Sequence, residues 1–340
     1  MASGAGVLIV SLGSTEGLRT ADEQLAETLR RAGASVTIAR ARPPAPVRTL
    51  MLTDLLWARA ARAAAAEELR TAPIRAVLYS STTAALLWPR PGAIRFDAAS
   101  AGNRPGRHGV WQRPLESRRL AQAPLLLPLT RQAMLEAPPS PGRSERTLVI
   151  PIPVAPSGPA ATIRDIAAIT YGANPSKKGL DRVLAAWRAR RARGGGGDEE
   201  LLVAGVEAGE LIGAGLLSPG EAGVRVLGTL APAEYRALVR RARVFICAPR
   251  REDYGTAQLE ALADGCMLVS TAAPGPYAAL PIARELDSRL VGDDLTGSLR
   301  AALEEPSPGY AERALRALAP FSPAVVDRLV AERLLPRLLA

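Results

Sequence analysis

The chain has 340 residues and a formal net charge of +10, which comes almost entirely from arginine, with one histidine and two cysteines. No apolar run approaches the ~20 residues of a membrane-spanning helix, and the first residues lack the basic and apolar regions of a signal peptide. The arginines are spread along the chain without interleaved aromatic residues, so nucleic-acid binding is not expected. Cys247 and Cys266 fall in or beside apolar runs, so we expect buried free thiols and a cytoplasmic protein.

The first half of the chain alternates apolar runs with helical patterns, which indicates a parallel α/β sheet. The turn after the first run contains Gly13 and leads into a helix, as in a β-α-β unit. Its glycines do not have the spacing of the dinucleotide-binding fingerprint. The predicted strands of this half are residues 7–12, 35–39, 76–79, 93–96 and 125–129.

A long helix is predicted over residues 47–70, with leucines and Trp57 on one side and arginines elsewhere. The ordinary interpretation, which we favour, is an amphipathic helix that faces the core. The alternative is an interfacial helix that touches anionic lipid.

Two residues of the first half are candidates for contact with a substrate. Asp97 closes a predicted strand at the carboxyl edge of the sheet, where parallel sheets bind ligands, and could contact acceptor hydroxyls. His108 is the only histidine of the chain and lies near Trp111. A lone histidine in such a place more often packs or caps a helix than catalyses a reaction.

Prolines are concentrated between residues 138 and 159, which predicts a stiff, extended linker. Beyond it, the chain again alternates strands and helices. Here the predicted strands are residues 166–171, 201–204, 224–227, 244–248 and 267–270, with residues 291–293 completing the sheet. We therefore divide the chain into domains at 1–155 and 156–320, followed by a helical segment at 321–340.

The loop of residues 172–179 follows the first strand of the second half and carries the only lysines of the chain, Lys177 and Lys178. A lysine ammonium is a compact point charge and a common phosphate ligand. A strand-to-helix turn that carries two of them is a candidate phosphate site.

A second charged loop, residues 250–255, lies between another strand and a helix predicted from Thr256, its N-cap, to Asp264. The start of the helix attracts an anion, and Gly255 would let a ligand approach the backbone. Glu252 and Glu260 flank this place, and carboxylates accept hydrogen bonds from hydroxyl groups. The layout suits a nucleotide sugar, in which a diphosphate lies between a sugar and a ribose.

The spacing of Glu252 and Glu260, with seven residues between them, resembles the signature of GT-B glycosyltransferases of family 4, also called group 1. The resemblance implies that Glu252 contacts the donor sugar and that Glu260 holds the ribose hydroxyls. The residues Tyr254, Gly255 and Thr256 between them would then also line the donor site.

The lysine loop is similar to the diphosphate-binding segment of the same family. Lys178 matches the family's lysine before a glycine, whereas Ala173 occupies the place of its arginine. Lys177 is the candidate substitute for that missing charge. In the first half, Gly13 corresponds to a turn that lies across a cleft from the donor phosphates. Many members have a histidine at a strand end, but here that place belongs to Asp97.

The resemblance implies the GT-B fold, which consists of two doubly wound Rossmann-like α/β domains facing across a cleft. Residues 1–155 would bind the acceptor, residues 156–320 the nucleotide-sugar donor, and the helix of 321–340 would cross back to the first domain. The similarity of motifs extends from Ile166 to about Leu303, whereas the first half matches only in the order of its elements.

We therefore expect a glycosyltransferase that moves a sugar from a nucleoside diphosphate to an acceptor hydroxyl of a glycan, small molecule or lipid. Retention of configuration follows from the family pattern. Independence of metal ions follows from the missing Asp-x-Asp triplet and the two lysines, with Lys178 and Glu252 as the central residues. No cofactor is expected. Two alternatives stay open: a non-catalytic GT-B module that partners an enzyme, and a nucleotide-sugar epimerase. Peripheral contact with the inner face of an anionic membrane also stays open.

Overall fold

The computed structural model describes residues 6–340, which form two compact units. The first unit contains the chain up to Pro153 together with Pro323–Ala340, and the second is Val154–Ser322. Each unit has a parallel sheet of five strands with helices around it. The prediction of two Rossmann-like α/β units is therefore confirmed.

In the first unit, every strand predicted from the sequence is found within two residues of its expected bounds. These strands are β1 (Gly6–Ser11), β2 (Ser35–Arg40), β3 (Ile74–Tyr79), β4 (Ala93–Phe96) and β5 (Leu126–Pro128). Their order in the sheet is β2-β1-β3-β4-β5. The side chains of β1 alternate between the two faces, so Leu8 and Val10 join one core cluster while Val7 and Ile9 join another. Burial on both faces explains the continuous apolar runs of the sequence.

Between Gly6 and Pro153, six α-helices accompany this sheet. They are α1 (Glu16–Arg31), α2 (Leu50–Thr71), α3 (Thr82–Ala85), α4 (Ser100–Asn103), α5 (Gln112–Gln122) and α6 (Arg131–Glu136). The middle of α2 faces the core, where Ala58, Ala61 and Ala65 are fully buried. Its beginning does not, because Leu50 and Leu52 are 51% and 45% exposed. The core-facing prediction thus holds for the middle of this helix and fails for its first turn.

In the second unit, the strands are β6 (Ile166–Tyr171), β7 (Leu201–Ala204), β8 (Val224–Gly228), β9 (Ala242–Cys247) and β10 (Met267–Ser270). Their order is β10-β9-β6-β7-β8. Residues 291–293 do not extend the sheet as predicted, since Val291 makes only an isolated bridge with Ser270. Both cysteines are buried and free, as expected.

Eight helices lie in the second unit as described. They are α7 (Pro175–Lys178), α8 (Leu180–Ala192), α9 (Ala208–Gly213), α10 (Pro232–Arg241), α11 (Thr256–Ala263), α12 (Ala279–Leu286), α13 (Leu295–Glu304) and α14 (Tyr310–Ala317). Over residues 6–340, none of the helices combines the length and apolar character required to traverse a bilayer.

The end of the chain folds with the first unit. It comprises α15 (Pro323–Leu329), a π-helical turn (Val330–Leu334) and α16 (Leu335–Leu339). Val326, Val330 and Leu334 are buried in the core cluster that contains Val7 and Ile9. The segment is also tied to α1, because the Arg31 guanidinium lies 2.6 Å from the Asp327 carboxylate.

We predict that Leu334→Ala destabilises the first unit by about 2–5 kcal/mol, because it removes a fully buried side chain and leaves a cavity. Urea unfolding followed by tryptophan fluorescence measures the change. Glu332→Ala, on the exposed side of the same segment, is the matched control. Equal stability of the two variants would show that this segment does not pack as described.

Candidate functional site

The candidate site lies at the carboxyl ends of β6 and β9, which are neighbours in the second sheet. From β6 the chain moves to β7 and β8 on one side, and then returns to β9 and β10 on the other. The direction of strand addition therefore reverses between β6 and β9. In open parallel sheets, ligands bind outside the strand ends at such a switch point.

The lysine turn follows β6 and is pressed against the end of β9. Asn174 adopts a left-handed conformation, and its side chain accepts a hydrogen bond from the Lys177 N–H at 3.1 Å. Gly179 is also left-handed, and a Cβ at this position would lie 1.8 Å from the Ala248 carbonyl oxygen. In addition, the Arg250 N–H donates to the Lys177 carbonyl at 3.0 Å. The two loops are thus in direct backbone contact.

Both lysines form ion pairs with the second loop. The Lys178 Nζ lies 2.7 Å from the Glu252 Oε2, and the Lys177 Nζ lies 3.3 Å from the Asp253 Oδ2. Asp253 also pairs with the Arg251 guanidinium at 2.7 Å. The sequence predicted that the lysines and Glu252 serve one site, and the structure brings them together. It did not predict their direct pairing.

Glu252 is only 5% exposed, and its carboxylate receives two hydrogen bonds. One comes from Lys178, and the other comes from the Gln258 Nε2 at 3.0 Å. Gln258 lies on α11 and is itself buried. Sequence reasoning missed this residue. Its position in the first turn of α11, among apolar neighbours and two residues before Glu260, could have drawn attention to it, since a buried polar side chain requires partners.

A third loop, after β10, supports the charged loop from behind. The Glu252 N–H donates to the Pro274 carbonyl at 3.0 Å, and a Cβ at Gly275 would lie 2.3 Å from the Glu252 carbonyl oxygen. Gly255 is left-handed with φ of 88°, and a Cβ there would lie 2.8 Å from the Tyr277 ring. Close packing therefore fixes the backbone on both sides of Tyr254.

The N-cap of α11 is Gly255, not Thr256, which is the first residue of the helix. The prediction of a threonine cap was wrong, because the left-handed conformation at the cap position selects glycine. Glycine has no side chain that could accept a hydrogen bond from the first turn. The N–H groups at this helix start therefore remain suited to an anion, and the helix dipole adds to the attraction.

Glu260 lies near the middle of α11, and its side chain faces α10. Its carboxylate lies 3.2 Å from the Arg236 guanidinium, which also lies 2.6 Å from the Asp264 carboxylate. Burial raises the pKa of Glu260, and the nearby Asp264 raises it further, whereas Arg236 opposes the shift. Asp264 in turn accepts hydrogen bonds from the N–H and hydroxyl of Ser157. Arg236 thus holds Glu260 in place, and Asp264 in turn fixes Arg236.

The other predicted site residues belong to the first unit. Gly13 follows β1 in a left-handed conformation, and its carbonyl accepts a hydrogen bond from Arg19 at 2.8 Å. Asp97 follows β4, and its carboxylate accepts the Ala98 N–H at 2.8 Å. His108 lies exposed in a short 3₁₀ turn. Their roles stay predictions. Within residues 6–340, no cluster of three or more His, Cys, Asp and Glu side chains is arranged to hold a metal ion.

Residues 166–304, all in the second unit, match the family described as Glycosyl transferases group 1. The search of curated proteins finds no match. Among solved structures, WaaG, a glycosyltransferase involved in lipopolysaccharide biosynthesis, is 16% identical with a TM-score of 0.68, covering 96% of this chain and all (100%) of its own. Sucrose-phosphate synthase from Thermosynechococcus elongatus is 16% identical with a TM-score of 0.65, and the match covers 95% of this chain and 96% of the synthase. HepE of Anabaena, solved with UDP-glucose, is 14% identical with a TM-score of 0.66, and the match covers 97% of this chain and 99% of HepE.

The chain has the GT-B fold, as the resemblance of the Glu252–Glu260 segment implies, and the family that its residues 166–304 match consists of glycosyltransferases. More particularly, the group 1 glycosyl transferases are the matching family. The matching segment contains the lysine turn, the charged loop and α11.

We predict that Gly179→Ala destroys the geometry of the candidate site, because the new Cβ would collide with the Ala248 carbonyl and favour another backbone conformation. Hydrogen exchange at residues 172–179 and 248–255 should increase. Gly209→Ala is the control, since a Cβ at that position meets no atom within 4 Å. Unchanged exchange in Gly179→Ala would contradict the close contact between the loops.

Proposed function

We propose that the protein transfers a sugar from a nucleoside diphosphate to an acceptor hydroxyl, with retention of configuration and without a metal ion. One observation carries this proposal. The lysine turn after β6 and the glutamate loop after β9 meet at the switch point of the second sheet, with Lys178 2.7 Å from Glu252. Lysine ammonium groups and a carboxylate that can accept hydrogen bonds from sugar hydroxyls thus lie beside a helix start that attracts anions.

The diphosphate would lie between the Lys178 ammonium and the amino end of α11. Lys177 is the more exposed of the two lysines and would neutralise the outer phosphate. The family's arginine place is occupied by Ala173, and Lys177 substitutes for that charge in this proposal. Gly255 and Thr256 would offer backbone N–H groups to the phosphate oxygens.

The two glutamates would hold the groups on either side of the diphosphate. Glu260 would accept hydrogen bonds from the ribose hydroxyls, with Arg236 fixing its carboxylate. Glu252 would accept hydrogen bonds from the donor sugar, with Tyr254 beside it in the same loop. Both roles use carboxylates as strong acceptors, one buried at Glu252 and one partly buried at Glu260.

The main chemical requirement is stabilisation of the departing diphosphate, whose negative charge grows as the glycosidic bond breaks. Lys178 and the start of α11 direct positive charge to that place, which is electrostatic catalysis. In this mechanism the lysines and the helix start supply the charge that a metal ion supplies elsewhere. The first unit would bind the acceptor, with Asp97 and His108 as candidate contacts.

The first experiment is a thermal-shift screen with UDP, GDP, ADP, CDP and dTDP, followed by donor-release assays with their sugar conjugates. UDP-glucose is included because HepE was solved with it. We expect stabilisation by at least one diphosphate, release of that diphosphate from its conjugate, and the same rate in EDTA. Absence of any binding would contradict the transferase. Binding without release would favour the non-catalytic module, and a new sugar isomer formed from donor alone would favour the epimerase.

We predict that Lys178→Ala lowers turnover by about 10²–10³-fold, since it removes a cation from the departing diphosphate. Steady-state rates at saturating donor measure the loss. Arg182→Ala removes a positive charge from an exposed position on the following helix and serves as the control. Near-normal turnover of Lys178→Ala would remove this lysine from the mechanism.

We predict that Glu260→Gln weakens binding of the nucleoside diphosphate by about tenfold or more, because it removes a charged acceptor for ribose hydroxyls. Calorimetry with the 2′,3′-dideoxy analogue sharpens the test. The analogue should bind the unaltered protein and Glu260→Gln equally, while the ribonucleotide should distinguish them. Glu210→Gln, at an exposed position on α9, should behave as the unaltered protein. If both ligands lose the same affinity, Glu260 does not hold the ribose.

The beginning of α2 supports a second element of the proposal, peripheral contact with an anionic membrane at its inner face. Leu50, Met51 and Leu52 are exposed there, and Arg42 and Arg48 are exposed on the segment before them. Apolar side chains beside arginines suit the boundary between lipid headgroups and acyl chains. Anionic headgroups add attraction for each basic residue near the surface.

We predict that the protein sediments with phosphatidylglycerol vesicles and not with phosphatidylcholine vesicles at equal lipid concentration. Leu50→Glu should reduce binding about tenfold or more, because it replaces a lipid-facing apolar side chain by a charge. Leu135→Glu is the matched control, since Leu135 is 72% exposed elsewhere in the first unit. Equal loss in both variants, or no binding to either vesicle, would contradict this contact.

A further inference from the structure

The two donors to the Glu252 carboxylate differ in how firmly they are held. The Lys178 ammonium is the terminus of a flexible side chain that is 25% exposed. The Gln258 amide is buried on α11, and its Nε2 lies 3.0 Å from the same oxygen, Oε2. One donor can therefore move toward solvent and ligand, whereas the other cannot.

Gln258 is fixed from behind by a buried polar network. Its Nε2 also lies 3.7 Å from the Cys247 Sγ, which in turn lies 3.4 Å from the Ser270 hydroxyl and 3.5 Å from the Tyr277 hydroxyl. Burial raises the pKa of the Cys247 thiol, so the sulfur remains a neutral S–H group. The two hydrogens of the amide thus point at Glu252 and at Cys247. Exchanging the amide atoms would place an oxygen against the carboxylate, so the contacts define the orientation.

A diphosphate between Lys178 and the start of α11 competes with Glu252 for the lysine ammonium. Its charge exceeds that of one carboxylate, so the ammonium turns toward the phosphate oxygens. Glu252 then keeps a single donor, Gln258. A buried carboxylate without any donor would be costly, and without a fixed donor it would no longer point in one direction.

We propose that Gln258 is a positioning residue that keeps Glu252 aimed at the donor sugar once Lys178 has turned to the diphosphate. The inference rests on the proposed function and extends it to a residue that does not touch the substrate. In this arrangement Lys178 binds the diphosphate of the nucleotide sugar, and Glu252, held by Gln258, binds its sugar. Loss of the amide should therefore affect the sugar and spare the diphosphate.

The test measures Kd by calorimetry for UDP, GDP, ADP, CDP and dTDP and for their glucose, mannose and N-acetylglucosamine conjugates. The ratio between a diphosphate and its best conjugate gives the contribution of the sugar. Gln258→Met keeps the length of the side chain and removes the donor. We expect it to leave the Kd of the diphosphate unchanged and to reduce the sugar contribution about tenfold or more.

Gln112→Met is the control for the loss of a buried glutamine, since Gln112 is 3% exposed in the first unit. This variant should change neither the Kd of the diphosphate nor the ratio between the diphosphate and its best conjugate, even if both variants lose some thermal stability. Failure of UDP, GDP, ADP, CDP and dTDP alike to bind the unaltered protein would overturn the proposed function itself. Diphosphate binding together with an unchanged sugar contribution in Gln258→Met, or with no sugar contribution in the unaltered protein, would overturn only the role of Gln258.

Discussion

The structure of the second unit depends on one contact, in which the lysine turn after β6 lies against the end of β9. The contact requires glycine at position 179, because a Cβ there would lie 1.8 Å from the Ala248 carbonyl oxygen. The strand order then places the two loops at the point where the sheet changes direction. Lys178 and Glu252 face each other as a consequence, although 74 positions separate them in sequence. The site is therefore a product of sheet topology and of glycine at one position.

The burial of charge is the second constraint. A carboxylate that is 5% exposed requires donors on its oxygens, and Glu252 has an ammonium and an amide. Removing one partner of a buried pair costs more than the pair contributes, because the remaining charge loses its compensation. The same logic applies to Asp264, which is surrounded by Arg236 and Ser157 and holds Glu260 indirectly. Polar networks behind the site thus determine where its carboxylates point.

Much of the fold could be predicted from the sequence, because buried parallel strands appear as continuous apolar runs separated by helical patterns. The loops at the site were also foreseeable, since Gly255, Glu252 and the lysine pair fall directly after such runs. The isolated bridge at Val291 could not be distinguished from a strand, because three residues carry no periodic signal. Long-range partners such as Gln258 and Arg236 depend on how α10, α11 and the sheet pack. The spacing of residues along the sequence does not predict that packing.

The central claim is that a diphosphate lies between the Lys178 ammonium and the amino end of α11. A crystal structure with the best-binding nucleoside diphosphate tests it most directly. The account predicts phosphate oxygens within hydrogen-bond distance of the Lys178 Nζ and of the N–H groups at Gly255 and Thr256. A cavity of about 300 Å³ at the opposite edge of the sheet is lined by arginines such as Arg164 and Arg241 and by acidic residues such as Asp165 and Glu199. A diphosphate bound there, and not at the lysine turn, would contradict the account.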